Sequence, residues 1–94
     1  PGATAPAIQR AHATVGFLTW PPAWIHFTDS DGLYRREEAP SPEEYRMESG
    51  RNKVEIVGRD GTRRVFHVDL AAGKVYRFKF NAENGFFELE EVEP

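Results

Sequence analysis

The sequence predicts an all-β domain, an antiparallel β-sandwich of seven or eight short strands. Three observations predict it. Apolar and polar residues alternate with a period of two from Ala13 onward. Gly, Asp, Asn and Pro interrupt these runs about every 8 to 12 residues. Helical periodicity is nearly absent. Two layers follow because a single sheet of this many apolar strands would leave one apolar face wet. A chain of 94 residues closes one core at most.

Each element has its own signal. In Ala13 to Trp20, Val15, Phe17 and Thr19 share one face, and Gly16, Leu18 and Trp20 the other. Pro21-Pro22 cannot donate to a ladder, so the pair marks a corner or an edge before Ala23 to Thr28, whose Ile25 and Phe27 face inward. Asp29-Ser30-Asp31-Gly32 turns the chain into a short strand at Leu33 to Glu37. A proline-broken acidic loop, Glu38 to Glu43, precedes Tyr45-Arg46-Met47. Lys53 to Val57 carries the apolar pair Val54 and Ile56, and Asp60-Gly61 then turns the chain. Arg63 to Leu70 alternates Phe66, Val68 and Leu70 with Val65, His67 and Asp69. After Ala72-Gly73, Tyr76, Phe78 and Phe80 oppose Val75, Arg77 and Lys79. Asn84-Gly85 is the strongest short hairpin signal, and Phe86 to Val92 closes the set with Phe87 and Leu89 inward. The first and last strands are expected to be sheet edges, where a partner strand adds to unpaired backbone groups.

Composition narrows the function classes. At 39% hydrophobic, 29% charged and 13% aromatic residues, the chain is too apolar for disorder and too polar for a membrane protein. A net charge of −3 argues against nucleic acid as the partner, because phosphate backbones select positive fields. The absence of cysteine excludes disulfides, a thiol nucleophile and Cys-ligated zinc. No run approaches the roughly 20 apolar residues of a membrane span, so direct membrane insertion is not expected. Residues 1–12, opening Pro-Gly-Ala-Thr-Ala-Pro-Ala, read as linker to a single domain over 13–94, and the expectation is a piece of a longer or processed protein.

The order of turn signals supports a family resemblance. It comprises Phe17-Leu18-Thr19-Trp20-Pro21-Pro22-Ala23, then Ile25-His26-Phe27-Thr28-Asp29, Pro40 to Pro42, Ser49-Gly50 through Val57, Asp60-Gly61, and Val68 to Gly73. In this order the chain resembles a PEGA domain, a small immunoglobulin-like β-sandwich repeat of bacterial envelope and signalling proteins. The family's Pro-Glu-Gly-Ala corner is Pro21-Pro22-Ala23 here, the Asp29 turn is longer, and Phe86 to Val92 would be an extra strand. The resemblance implies a non-catalytic interaction or spacer module, extracytoplasmic or at the cell envelope, and brings no catalytic or cofactor residue.

Several residue groups bear on chemistry. Asp29-Ser30-Asp31-Gly32 starts like a calcium loop, but the glycine comes early and the twelfth position is Pro40, so an ordinary turn is the preferred reading. His12, His26 and His67 have no close-spaced partner for a metal. Ser30 or Ser49 with His67 and Asp69 forms a triad on paper only, with no nucleophile elbow. No enzyme activity, metal or cofactor is expected. Trp20 and Trp24 flank the proline corner and Tyr34 follows, an aromatic set that could grip a sugar ring. The competing reading makes them core or edge cover. From Arg51 to Arg64, five basic residues face two acidic ones, a local +3, and the tail from Asn81 carries five Glu and no base, a local −5. Complementary fields of this kind steer neighbouring copies together. The plainer reading is cross-strand pairing on a solvated surface.

The expected function is therefore a protein-interaction or spacer module contacting a partner protein or a neighbouring domain of its own chain. The alternative is a carbohydrate-binding module that takes a cell-envelope glycan on Trp20, Trp24 and Tyr34.

Overall fold

In a computed structural model, residues 11–92 are described. The linker expected over 1–12 lies outside them except for its last two residues. Eight strands form: β1 (His12–Trp20), β2 (Ala23–Thr28), β3 (Tyr34–Ala39), β4 (Glu44–Glu48), β5 (Gly50–Gly58), β6 (Arg63–Leu70), β7 (Val75–Asn81) and β8 (Phe86–Val92). They make two four-stranded sheets, β4-β1-β7-β8 and β3-β2-β5-β6, in a sandwich-like all-β arrangement.

Hairpin chemistry explains the pairs that stay within a sheet. The turns at Asp29–Gly32, Asp60–Gly61 and Asn84–Gly85 join β2–β3, β5–β6 and β7–β8. Gly85 has φ of 77°, a conformation that suits glycine at the end of this turn, and its N–H donates to the Asn81 carbonyl at 2.8 Å. The proline segments do the opposite work. Pro21-Pro22 carries the chain from the first sheet to the second, and Pro40 to Pro42 returns it, because neither can continue a ladder.

Two expectations are corrected. The pairing is not wholly antiparallel, since β1 and β7 run parallel, with Val15 opposite Tyr76 and Phe17 opposite Phe78. Nor is β1 an edge, because it lies between β4 and β7. Both follow from the crossovers. Once β1 has delivered the chain to the other sheet, β2 cannot be its neighbour, and β7 arrives from β6 at the end where β1 starts. There Gly73 N–H donates to the His12 carbonyl at 2.9 Å. The third strand is also displaced, starting at Tyr34 and extending to Ala39, which leaves Leu33 exposed in the turn.

The core lies between the inward rows. Val15, Phe17, Phe78 and Met47 from one sheet meet Ile25, Phe27 and Val54 from the other, each at most 2% exposed. Phe17 links the layers, with ring centroids 5.1 Å from Phe27 and 5.4 Å from Phe78. Each such side chain contributes about 1.5–3 kcal/mol on burial. The described chain enters and leaves at one end of the first sheet, where Thr14, Val75 and Val92 align across β1, β7 and β8. The opposite end carries the Trp20-Pro21-Pro22 strap.

Candidate functional site

Period-two alternation decides where each tryptophan goes. Thr19 is buried, so Trp20, the last residue of β1, faces outward from the first sheet with 56% of its surface exposed. The register places Trp20 opposite Asn81 and Asn81 opposite Phe86, and Leu18 opposite Lys79 and Lys79 opposite Glu88. Leu18, Trp20 and Phe86 are all exposed and share this face. With Pro40, Lys79 and Asn81 they line a shallow concavity of about 320 Å³. The Lys79 ammonium is held by Glu90 at 3.1 Å and Glu88 at 3.7 Å. The result is an apolar terrace with a polar rim at the end of the molecule remote from His12 and Val92.

Trp24 points the other way. Ala23 and Ile25 are buried, so Trp24 lies on the outer face of the second sheet, where the Arg36 guanidinium covers its ring at 4.2 Å from the centroid. Tyr34 shares that face. Its hydroxyl is hydrogen-bonded to His26 Nδ1 at 2.9 Å, and the two rings meet edge to face at 5.8 Å. Glu55 stands 3.7 Å from the same nitrogen and is also paired with Arg63 at 3.3 Å. Of the three aromatic residues singled out from the sequence, the structure thus brings Trp24 and Tyr34 to one face and separates Trp20 from both. Trp20 gains Leu18 and Phe86 instead. Sequence reading passed over Phe86, although an inward Phe87 already implies an outward Phe86.

The acidic tail of the uneven charge map is paired largely within the fold, with bases outside the Arg51 to Arg64 segment. Lys74 pairs with Glu91 at 3.6 Å and Arg77 with Glu90 at 3.5 Å, neutralising much of the acidic tail. Arg59 meets Glu38 at 3.1 Å across the second sheet. These are exposed cross-strand pairs, each worth about 0–1 kcal/mol.

A separate polar cluster seals the inner side of the β3 edge. Arg35 sits 2.8 Å from Glu37, 3.4 Å from Asp29 and over the Tyr45 ring. Burial pushes the Asp29 carboxyl upward, but N–H donation from Leu33 and Asp31, with Arg35, outweighs it and holds the group below its ordinary value. The Asp29 Oδ1 that a calcium loop would offer a cation is occupied by its own turn. Burial, with the Tyr45 hydroxyl donating to Glu43 at 3.0 Å and Glu37 nearby, pushes the Tyr45 phenol up to about 12. Among the described residues no group of three or more His, Asp or Glu is arranged to hold a metal ion. His67 and Asp69 stand on β6 opposite Lys53 and Arg51, whereas Ser30 lies between β2 and β3 and Ser49 between β4 and β5.

Compared with protein-family profiles, curated proteins and solved structures, the chain matches none. What fold and surface define is a two-sheet all-β domain with an exposed aromatic terrace at one end.

Proposed function

We propose that the chain is a non-catalytic binding module that docks a partner protein, or a neighbouring domain, on the terrace of Leu18, Trp20 and Phe86. The observation that carries this is the alignment of three large exposed apolar side chains across β1 and β8, remote from the ends of the described chain. Scattered apolar residues are ordinary on a surface, whereas an aromatic-centred patch with a polar rim is the anatomy of an interface. The PEGA-like, immunoglobulin-like character of the sandwich and a setting in a bacterial envelope or signalling protein are part of this reading, supported by the order of turn motifs.

Site-specific photo-cross-linking in the source cells tests it. Trp20→p-benzoylphenylalanine should yield one discrete protein adduct identifiable by mass spectrometry, and Trp24→p-benzoylphenylalanine should not. Equal adducts from both positions, or none from position 20, would sink the reading.

One observation favours a second reading. The exposed Trp20 indole beside the Asn81 amide has the apolar plate and polar edge that carbohydrate sites use. Saturable shifts of the Trp20 indole N–H in an ¹⁵N–¹H spectrum titrated with envelope glycan fragments would select it over the protein partner.

A further inference from the structure

On the other side of the Trp20-Pro21-Pro22 strap lies a second concavity, of about 400 Å³, with Pro21, Pro22, Ile56, Phe80 and Ala82 as its apolar lining. Its distinguishing feature is Arg64. In β6 the residues of Arg64's parity are Phe66, Val68 and Leu70, which face the core, and Arg64 itself pairs in register with the buried Ile56. An arginine therefore occupies the core-facing row where the sandwich opens.

The Arg64 guanidinium lies over the Phe80 ring at 5.5 Å from the centroid and has no carboxylate partner among the described residues. No hydrogen bond or ion pair engages the Arg64 guanidinium among the described residues, so its planar fork is free to donate two parallel hydrogen bonds. Arg59 is held by Glu38 at 3.1 Å, whereas Asp60 keeps its negative charge at the rim, its Oδ1 turned to the Thr62 N–H at 2.9 Å, so Arg64 is the one cation of the lining without a carboxylate partner among the described residues. A planar two-donor cation thus stands beside an apolar bed with its donors unused.

We infer that this groove takes the C-terminal carboxylate of a partner polypeptide ending in an apolar residue. Such a residue carries a carboxylate and an apolar side chain on one Cα, the pairing that the Arg64 edge and the Ile56–Phe80 bed present side by side. The inference is independent of the terrace, from which the strap separates it.

The probe is N-acetyl-alanyl-leucine as the free acid, titrated into the ¹⁵N-labelled chain beside its C-terminal amide and N-acetylglutamate α-amide. The free acid should give saturable shifts at Arg64 Nε–Hε, Gly58 and Ala82, and the other two should not. Arg64→Gln should weaken binding about ten-fold or more, the loss expected for a charge-assisted pair. Arg64→Lys should recover only part of it, because a point charge lacks the fork. The protein adduct at position 20 should survive Arg64→Gln, which keeps this test separate from that of the terrace. Equal binding of acid and amide, or an unaffected Arg64→Gln variant with a native spectrum, would overturn the inference. Equal binding of the glutamate side-chain probe would overturn the assignment to a chain terminus.

Discussion

Trp20 and Trp24, joined by a single proline corner, face away from each other on the outer surfaces of opposite sheets. The chain changes layers between them, so outward for one is the reverse direction for the other. No ligand of sugar size can stack on both at once. The two indoles consequently have different environments, one open and one covered by Arg36.

That difference is directly measurable. With Trp24→Phe, emission should come from Trp20 alone, red-shifted and steeply quenched by acrylamide. With Trp20→Phe, the remaining Trp24 should emit further to the blue and quench more shallowly. A neutral quencher is required because Arg36 would concentrate iodide at Trp24. Matching quenching slopes would contradict the opposite-face geometry.

Phe78 is fully buried, with ring centroids 5.4 Å from Phe17 and Phe66 and 4.9 Å from Phe87. Phe78→Ala should cost about 3–5 kcal/mol, a large fraction of the 5–15 kcal/mol that typically holds a domain together. Thermal or urea unfolding followed by circular dichroism checks it. Trp20→Ala, at an exposed site, should stay within about 0.5 kcal/mol of the parent.

Thr19 Oγ1 donates to the Ala39 carbonyl at 3.2 Å, a buried link from β1 in one sheet to β3 in the other. Thr19→Val keeps the shape and removes the donor, so it should destabilise the domain by about 1 kcal/mol. A urea midpoint indistinguishable from the parent's would show that this bond contributes nothing net.

Acid should weaken the Asp29 cluster. The folded carboxyl titrates below its ordinary value of 3.8, so its contribution is present above that value and is lost as pH falls through the folded one. In Asp29→Asn the charge is absent at every pH. Stability should therefore decline less steeply below 3.8 in the variant than in the parent, read from urea midpoints across an acid series.

Alkali should act through Tyr45. Its phenol is raised from 10.0 to about 12, so the protonated form is favoured in the fold. The associated stability is intact below 10.0 and disappears as pH rises toward about 12. Tyr45→Phe should lose this part of the alkaline dependence. An absorbance titration of the phenolates should show the Tyr45 step missing from the high end.

Strand content and inward faces were legible from local pattern, because a β-strand's two faces depend only on residue parity. Tyr76, Phe78 and Phe80 read inward from the sequence and are buried. The turn glycines likewise announce their own conformation, as at Asn84–Gly85. Arg64 shows where this reading fails, since parity puts it inward while its charge argues for solvent. Only the open end of the sandwich, with Phe80 beneath it, reconciles the two.

Interactions within a few residues thus set the all-β class, the order of the strands along the chain and the division of each strand into two faces. The tertiary structure decided which strands became neighbours. The parallel meeting of β1 with β7 and the placing of Phe86 beside Asn81 and Trp20 depend on contacts between distant segments, which no local signal encodes. The split of the aromatic set has the same cause. Pro21-Pro22 announces a corner, but only the packing of two layers determines that the chain leaves one sheet there and enters the other.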